Sequence, residues 1–205
     1  LGMDERVSNQ PVIDSEEILA GIKTWVDIET PSHEGEEVNK LVDLVEKSIQ
    51  ALGAEIVRVP GRDGYGDILK AKTIWGHPAE EPGILVLSHL DTVHPMGLID
   101  EVLPWKREDD HVQGPGIYDM KAGAHMAYYA YQHLVRQGKS SKLPITFLYV
   151  PEEEVGSPTS QAMIEDEAKK HKYALVTEPA RDGNKCVTER KGAARFDIRT
   201  IGRQS

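Results

Sequence analysis

Cysteine occurs once in this chain, at Cys186, so no internal disulfide can form and a reducing compartment is expected. Positive charge is scarce too: 24 Lys and Arg stand against 34 Asp and Glu, a net charge of −10. That balance excludes nucleic acid as the main partner, because phosphate binding needs a basic surface. No apolar run approaches the roughly 18 residues of a membrane span. The polar stretch 1–10 lacks the apolar core of a secretion signal. The expected location is therefore the cytoplasm, or the periplasm or outside if an upstream signal has been removed. Repeats and low-complexity segments are absent as well. Cys186 itself is expected to be a small buried residue on a strand.

What the chain does have is alternation of helix and strand patterns. Asp14-Ser15-Glu16-Glu17 reads as a helix start, with Ile18, Leu19, Ile22 and Trp25 following at helical spacing. A second helix is predicted over 34–52, with Val38, Leu41, Val42, Val45, Ile49 and Leu52 forming one stripe. Strands are predicted at 55–59 and 67–75, then at 83–88, whose continuous apolar run suits a strand covered on both faces. Residues 105–113 read as an edge hairpin and 119–136 as a third helix. A buried strand at 145–150, a helix at 160–170 and a strand at 174–177 follow; the tail 186–201 alternates well enough for one or two more strands. The expected fold is α/β: three layers, with a largely parallel sheet flanked by helices.

The chemistry gathers where these strands end. One strand runs into His89-Leu90-Asp91, another into Pro151-Glu152-Glu153-Glu154, and a third into Glu178-Pro179. Asp119 stands where Gly114-Pro115-Gly116-Ile117-Tyr118 enters the third helix. In open α/β sheets, ligands bind beyond the carboxyl ends of the strands. Each residue alone has an ordinary reading: His89 as a loop residue, Asp119 as a helix N-cap, the three glutamates as a solvated loop, Glu178 as a turn. Together, so many carboxylates at one sheet edge would repel one another unless a cation neutralised them. A mixed oxygen and imidazole set suits zinc, or manganese or cobalt.

The motifs Ser88-His89-Leu90-Asp91-Thr92-Val93, Gly114-Pro115-Gly116-Ile117-Tyr118-Asp119-Met120-Lys121, Glu152-Glu153-Glu154-Val155-Gly156-Ser157 and Thr177-Glu178-Pro179-Ala180 come in a recognisable order. They resemble the zinc-dependent exopeptidase family of glutamate carboxypeptidase, which also holds aminoacylases, acetylornithine deacetylase and succinyl-diaminopimelate desuccinylase. The resemblance implies that His89 and Glu178 hold one zinc, that Asp119 bridges two, and that Glu154 binds the second. It makes Glu153 the general base, with Glu152 left open as the alternative if the register slips by one. It makes Asp91 the partner that orients the His89 imidazole. A cis peptide after Asp119 is also implied. The implied reaction is hydrolysis of an amide bond in a small peptide or N-acyl amino acid, by a metal-activated water that gives its proton to Glu153.

The departures from that family are equally specific. A further histidine ligand for the second zinc has no counterpart here. Residues 200–205 resemble the opening of the family's lid domain, so the expected division is a catalytic-domain part over 1–199 and the start of a lid over 200–205. On this reading the chain is the first part of a longer protein and has little activity alone. An aminopeptidase of related fold and a non-catalytic metal-binding or oligomerising module, such as a homodimer, are the alternatives. His33, His77, His111 and His171 are expected to be solvated, and His125 and His133, on the third helix, to be packing or surface residues rather than ligands. His94 is weighed evenly between substrate contact and loop. Arg190-Lys191 reads as a solvated turn, with a carboxylate-facing role as the alternative.

Overall fold

The computed structural model describes residues 13–76, 82–192, 194 and 196–202. His77, the polar start and residues 203–205 of the expected lid segment lie outside the described residues. The first helix, α1 (Ser15–Val26), begins as its sequence dictates: the Asp14 carboxylate accepts hydrogen bonds from the Glu16 and Glu17 amides. The two glutamates in its first turn also complement the helix dipole. Helix α2 (Gly35–Gln50) buries Val38, Leu41, Val42, Val45 and Ile49, the predicted stripe. Full burial of such a side chain is worth about 1.5–3 kcal/mol.

Strands β1 (Glu55–Val59), β2 (Ile68–Lys72) and β3 (Gly83–His89) follow, then a one-turn helix α3 (Leu98–Glu101) that the sequence reading did not anticipate. The predicted hairpin is β4 (Lys106–Glu108) with β5 (His111–Gln113). A turn over Ile117–Lys121, with Asp119 and Met120 in non-helical conformations, leads into α4 (Ala122–Arg136). Strand β6 (Ile145–Val150), a single 3-10 turn at Glu153–Val155, α5 (Gln161–Lys169) and β7 (His171–Val176) complete the order.

The sheet order is β1-β2-β6-β3-β7. Only β6–β3 and β3–β7 pair in parallel; β1–β2 and β2–β6 are antiparallel, so the sheet is mixed rather than largely parallel. The short link between β1 and β2 accounts for their antiparallel pairing, since closely joined strands return antiparallel, whereas a parallel pair needs a long crossover. That crossover exists between β3 and β6, and α4 lies within it. Side chains alternate across the sheet: Phe147 and Tyr149 pack with α1, α2 and α4, while Leu148 and Val150 face Met163 and Ile164 of α5.

Two features set the sheet's far edge apart. Strand β7 is not covered: Tyr173, Leu175 and Val176 are each more than half exposed. The predicted strands over 186–201 are absent among the described residues; Cys186 is exposed and outside any strand. Alternation becomes a strand only where a neighbour supplies hydrogen bonds, and the outer edge of β7 pairs with no strand among the described residues. The expected boundary near 199 falls within this tail. His171 also departs from the solvated reading, since its ring nitrogens meet the Glu167 carbonyl and the Thr146 hydroxyl.

His125 packs as expected. It is 5% exposed, stands edge-on to Trp25 and has an unpartnered Nδ1 among the described residues. Gly21 on α1 makes the room, because a Cβ there would run into the imidazole. Burial pushes the His125 pKa down to about 4 against a weaker pull from Glu17. A histidine held neutral when folded binds its proton more readily when unfolded. Its stabilising contribution is therefore whole above about 6.5 and falls away as pH drops through about 4. His125→Leu should flatten the loss of urea stability between pH 7 and pH 4.5. An unchanged slope would show that other groups govern this acid sensitivity.

Candidate metal centre

Strands β6, β3 and β7 are neighbours and run the same way, so their carboxyl ends open onto one edge. The register places His89 beside Val150 and Leu87 beside Val176. Leu90 N–H donates to the Val150 carbonyl (2.9 Å) and Thr177 N–H to the Leu87 carbonyl (3.1 Å), extending both pairings into the loops. Asp119 arrives from the turn before α4. Gly116 opens that turn with φ +64°, and a Cβ there would meet the Thr92 side chain. The Asp119–Met120 peptide is cis.

His89 is 1% exposed. Its Nδ1 lies 3.0 Å from the Asp91 carbonyl oxygen and 3.3 Å from Asp91 Oδ1. Its Nε2 faces the carboxylates: Asp119 Oδ1 at 3.0 Å, Glu178 Oε1 at 3.4 Å and Glu153 Oε2 at 3.8 Å. Two overlapping sets can each bring their ligand atoms within 4.8 Å of one another, His89 with Asp119 and Glu154, and His89 with Glu153 and Glu178. Asp91 is fully buried and accepts from the Ser32 hydroxyl (2.6 Å) and the amides of Glu153 (3.1 Å) and Glu154 (3.2 Å).

Glu152 has a different fate. Its buried carboxylate accepts from the amides and hydroxyls of Thr159 and Ser160, at 2.7–3.0 Å. Four donors hold it at the start of α5, which takes it out of the set of candidate bases. Of the three consecutive glutamates, Glu153 and Glu154 remain beside His89.

Without a cation, His89, Glu153 and Glu154 are shifted toward holding protons. Burial alone would lower the His89 pKa, but hydrogen bonds to Asp91 and Glu178 and the charges of Asp91 and Glu153 lift it to about 11. Glu154 is pushed up to about 7, first by burial and then by the charge of Asp119. Glu153 is raised by burial and by its carboxylate neighbours, against the pull of His89. Glu178 is lowered by its hydrogen bond to His89, which outweighs burial. An imidazole whose Nε2 faces several oxygen donors fits a divalent cation, which would replace those protons.

The six residues singled out from the sequence (His89, Asp91, Asp119, Glu153, Glu154 and Glu178) therefore meet at one sheet edge. The grouping differs from the expected division. Glu154 reaches His89 as well as Asp119, and Glu153 falls with Glu178. Arg190, read as a solvated turn residue, is exposed but lines a cavity of about 480 Å³ with Tyr118, Asp119 and Glu178. Ser32 and the buried Lys121 were not recognised as part of the surroundings. Ser32 looks like any serine ahead of a helix, and nothing local marks its partner 59 positions away.

A profile of Peptidase family M20/M25/M40 matches residues 85–197. Carboxypeptidase G2 of Pseudomonas sp. (strain RS-16) is 29% identical over 190 residues, 92% of this chain and 45% of that protein. Human carnosine dipeptidase 1 superposes with a TM-score of 0.69 at 18% identity, covering 81% of this chain and 39% of that one. The M20 family metallo-carboxypeptidase Sso-CP2 of Sulfolobus solfataricus gives 0.63 at 20% identity, over 80% of this chain and 38% of its own. The chain spans about half the length of the curated relatives it matches over most of its own length.

Because His89 and Glu154 hold protons near neutrality, divalent-ion binding should release protons and tighten as pH rises from 6 to 8. Calorimetric titration with Zn²⁺ in two buffers of different ionisation enthalpy measures this directly. Binding that is independent of pH and buffer would place the ion elsewhere.

Proposed function

The chain belongs to Peptidase family M20/M25/M40, and from that premise we propose that it carries the metal-binding part of a two-metal amide hydrolase of carboxypeptidase or deacylase type. The observation that carries this reading is the Asp91–His89 pair aimed into the carboxylates of Asp119, Glu153, Glu154 and Glu178. Zinc is the proposed metal, with cobalt or manganese accepted by the same donors. His89, Asp119 and Glu178 would hold one ion, with Asp119 shared and Glu154 on the second. Bound there, the ions would lower the pKa of a coordinated water and polarise the substrate carbonyl. Small peptides or N-acyl amino acids are the proposed substrates, in keeping with relatives named carboxypeptidase and dipeptidase.

The chain's own residues divide the remaining work. Asp91 accepts from the His89 Nδ1–H and so keeps Nε2 free for the ion. Glu153 takes a proton from the attacking water and returns it to the leaving amine. Its raised pKa suits a group that must gain and lose a proton in one cycle. Among the described residues the second ion would have only Asp119 and Glu154, so we place the turnover of this chain low.

In an enzyme whose second metal site is complete, Glu153→Gln should keep Zn²⁺ affinity within a few-fold while lowering hydrolysis of N-acyl amino acids by about 10²–10⁴. Undiminished turnover, or metal loss as severe as in Glu154→Gln, would overturn the assignment. A comparison of N-acyl amino acids, peptides ending in glutamate and free-amine peptides separates this reading from an aminopeptidase.

A second reading, a metal-binding module that self-associates, is supported by the uncovered strand β7 with Tyr173, Leu175 and Val176. Under that reading, sedimentation should show a dimer that Leu175→Lys dissociates. A monomer at all concentrations argues against it.

A further inference from the structure

The segment between α1 and α2, residues 28–32, carries none of the site residues yet touches three of the chain stretches that surround them. Thr30 Oγ1 donates to the Leu90 carbonyl (2.6 Å), and Thr92 N–H donates to the Thr30 carbonyl (2.8 Å). Pro31 forms a parallel bridge with Thr92, and Ser32 N–H donates to the Thr92 carbonyl (3.3 Å). The segment thus runs beside Leu90–Thr92, joined to it by a single parallel bridge. From it the Ser32 hydroxyl reaches Asp91 Oδ2 at 2.6 Å. On its other side Lys121, 1% exposed, donates from Nζ to the Ile28 carbonyl at 2.6 Å. The Glu29 carboxylate accepts from the amides of Gly97 and Ile99, at 2.7 and 3.0 Å, and so holds the loop that follows Thr92.

We propose that Ser32 and Lys121 are positioning residues of the metal centre, anchored by the segment 28–32. The inference rests on the metal-centre reading above and adds two residues to it. Besides Ser32 and the His89 ring, the hydrogen-bond donors to the Asp91 carboxylate among the described residues are the amides of Glu153 and Glu154, which belong to the turn after β6. Ser32 supplies a donor from a separate segment, 59 positions away. Its hydroxyl holds the carboxylate from the far side, so that Oδ1 stays against His89 Nδ1. Lys121 performs the corresponding task for Asp119, two residues upstream. A buried Nζ bonded to a main-chain carbonyl 93 positions away pins the turn that presents that carboxylate.

The same segment supplies its own control. Thr30 is as buried as Ser32, but among the described residues its hydroxyl hydrogen-bonds the Leu90 main-chain carbonyl and no site side chain. Thr30→Val should therefore cost stability without a matching loss of metal binding.

The experiment compares Ser32→Ala, Lys121→Met and Thr30→Val with the unaltered chain. Each is measured for Zn²⁺ affinity by chelator competition and for urea stability without metal. Ser32→Ala and Lys121→Met should weaken Zn²⁺ binding about 10–100-fold, whereas Thr30→Val should stay within a few-fold at equal or greater loss of stability. Ser32→Thr, which keeps the hydroxyl, should recover most of the affinity. If affinity follows stability equally in all three variants, or if Ser32→Ala binds as the unaltered chain does, the positioning role is refuted. If Lys121→Met fails to fold, Ser32→Ala against Thr30→Val decides. An unaltered chain that binds no Zn²⁺ refutes the metal-centre reading itself, a result distinguishable from unaltered binding with unaffected variants.

Discussion

The carboxylate of Asp91 is the point on which the candidate centre depends. A fully buried anion is costly unless every oxygen finds a partner. Asp91 meets that condition with one hydroxyl and two amides, and its Oδ1 also faces the His89 imidazole. Those partners come from the segment after α1, the end of β3 and the turn after β6. Satisfying one charge therefore fixes three parts of the chain relative to one another. It also decides which ring nitrogen of His89 looks outward, and hence where a cation can be met.

The neighbouring carboxylates work under the opposite condition. Asp119, Glu153, Glu154 and Glu178 face each other across a partly open edge with His89 as the basic side chain between them. Partial burial and the charge of their neighbours raise the pKa of Glu153 and Glu154, where a divalent ion would sit. Glu152 shows that sequence neighbourhood does not assign this role. It stands next to Glu153, yet its four donors at the start of α5 commit it to holding the loop. Three consecutive glutamates thus do two kinds of work, because the chain turns between them and sends their side chains in different directions.

Much of the helical structure was legible because a helix is a local object. The stripe Val38, Leu41, Val42, Val45 and Ile49 can be counted directly, and Asp14 caps the helix that follows it. Sheet order was less legible, since strand pairing depends on partners far along the chain. That is why the antiparallel placing of β2 against β6 went unanticipated. The tail failed for a related reason. Its alternation resembles a strand, but a strand exists only with a neighbour, and β7 leaves its outer side unpaired among the described residues. Cys186 followed the tail out to the surface.

The sequence by itself determined the chemistry: which carboxylates and which histidine stand at the ends of which strands, and the order of motifs that marks the family. Strand ends can be read locally, and parallel neighbours open onto one edge, so the gathering of His89, Glu154 and Glu178 was foreseeable, while Asp119, which lies in the turn before α4, was legible only from the order of the motifs. Only the tertiary structure decided how that set is oriented. The bond from Ser32 to Asp91 spans 59 positions, and that from Lys121 to Ile28 spans 93. Neither residue carries a local signal, because a hydroxyl or an ammonium has no preferred partner until folding brings one within reach and removes the water that would otherwise serve.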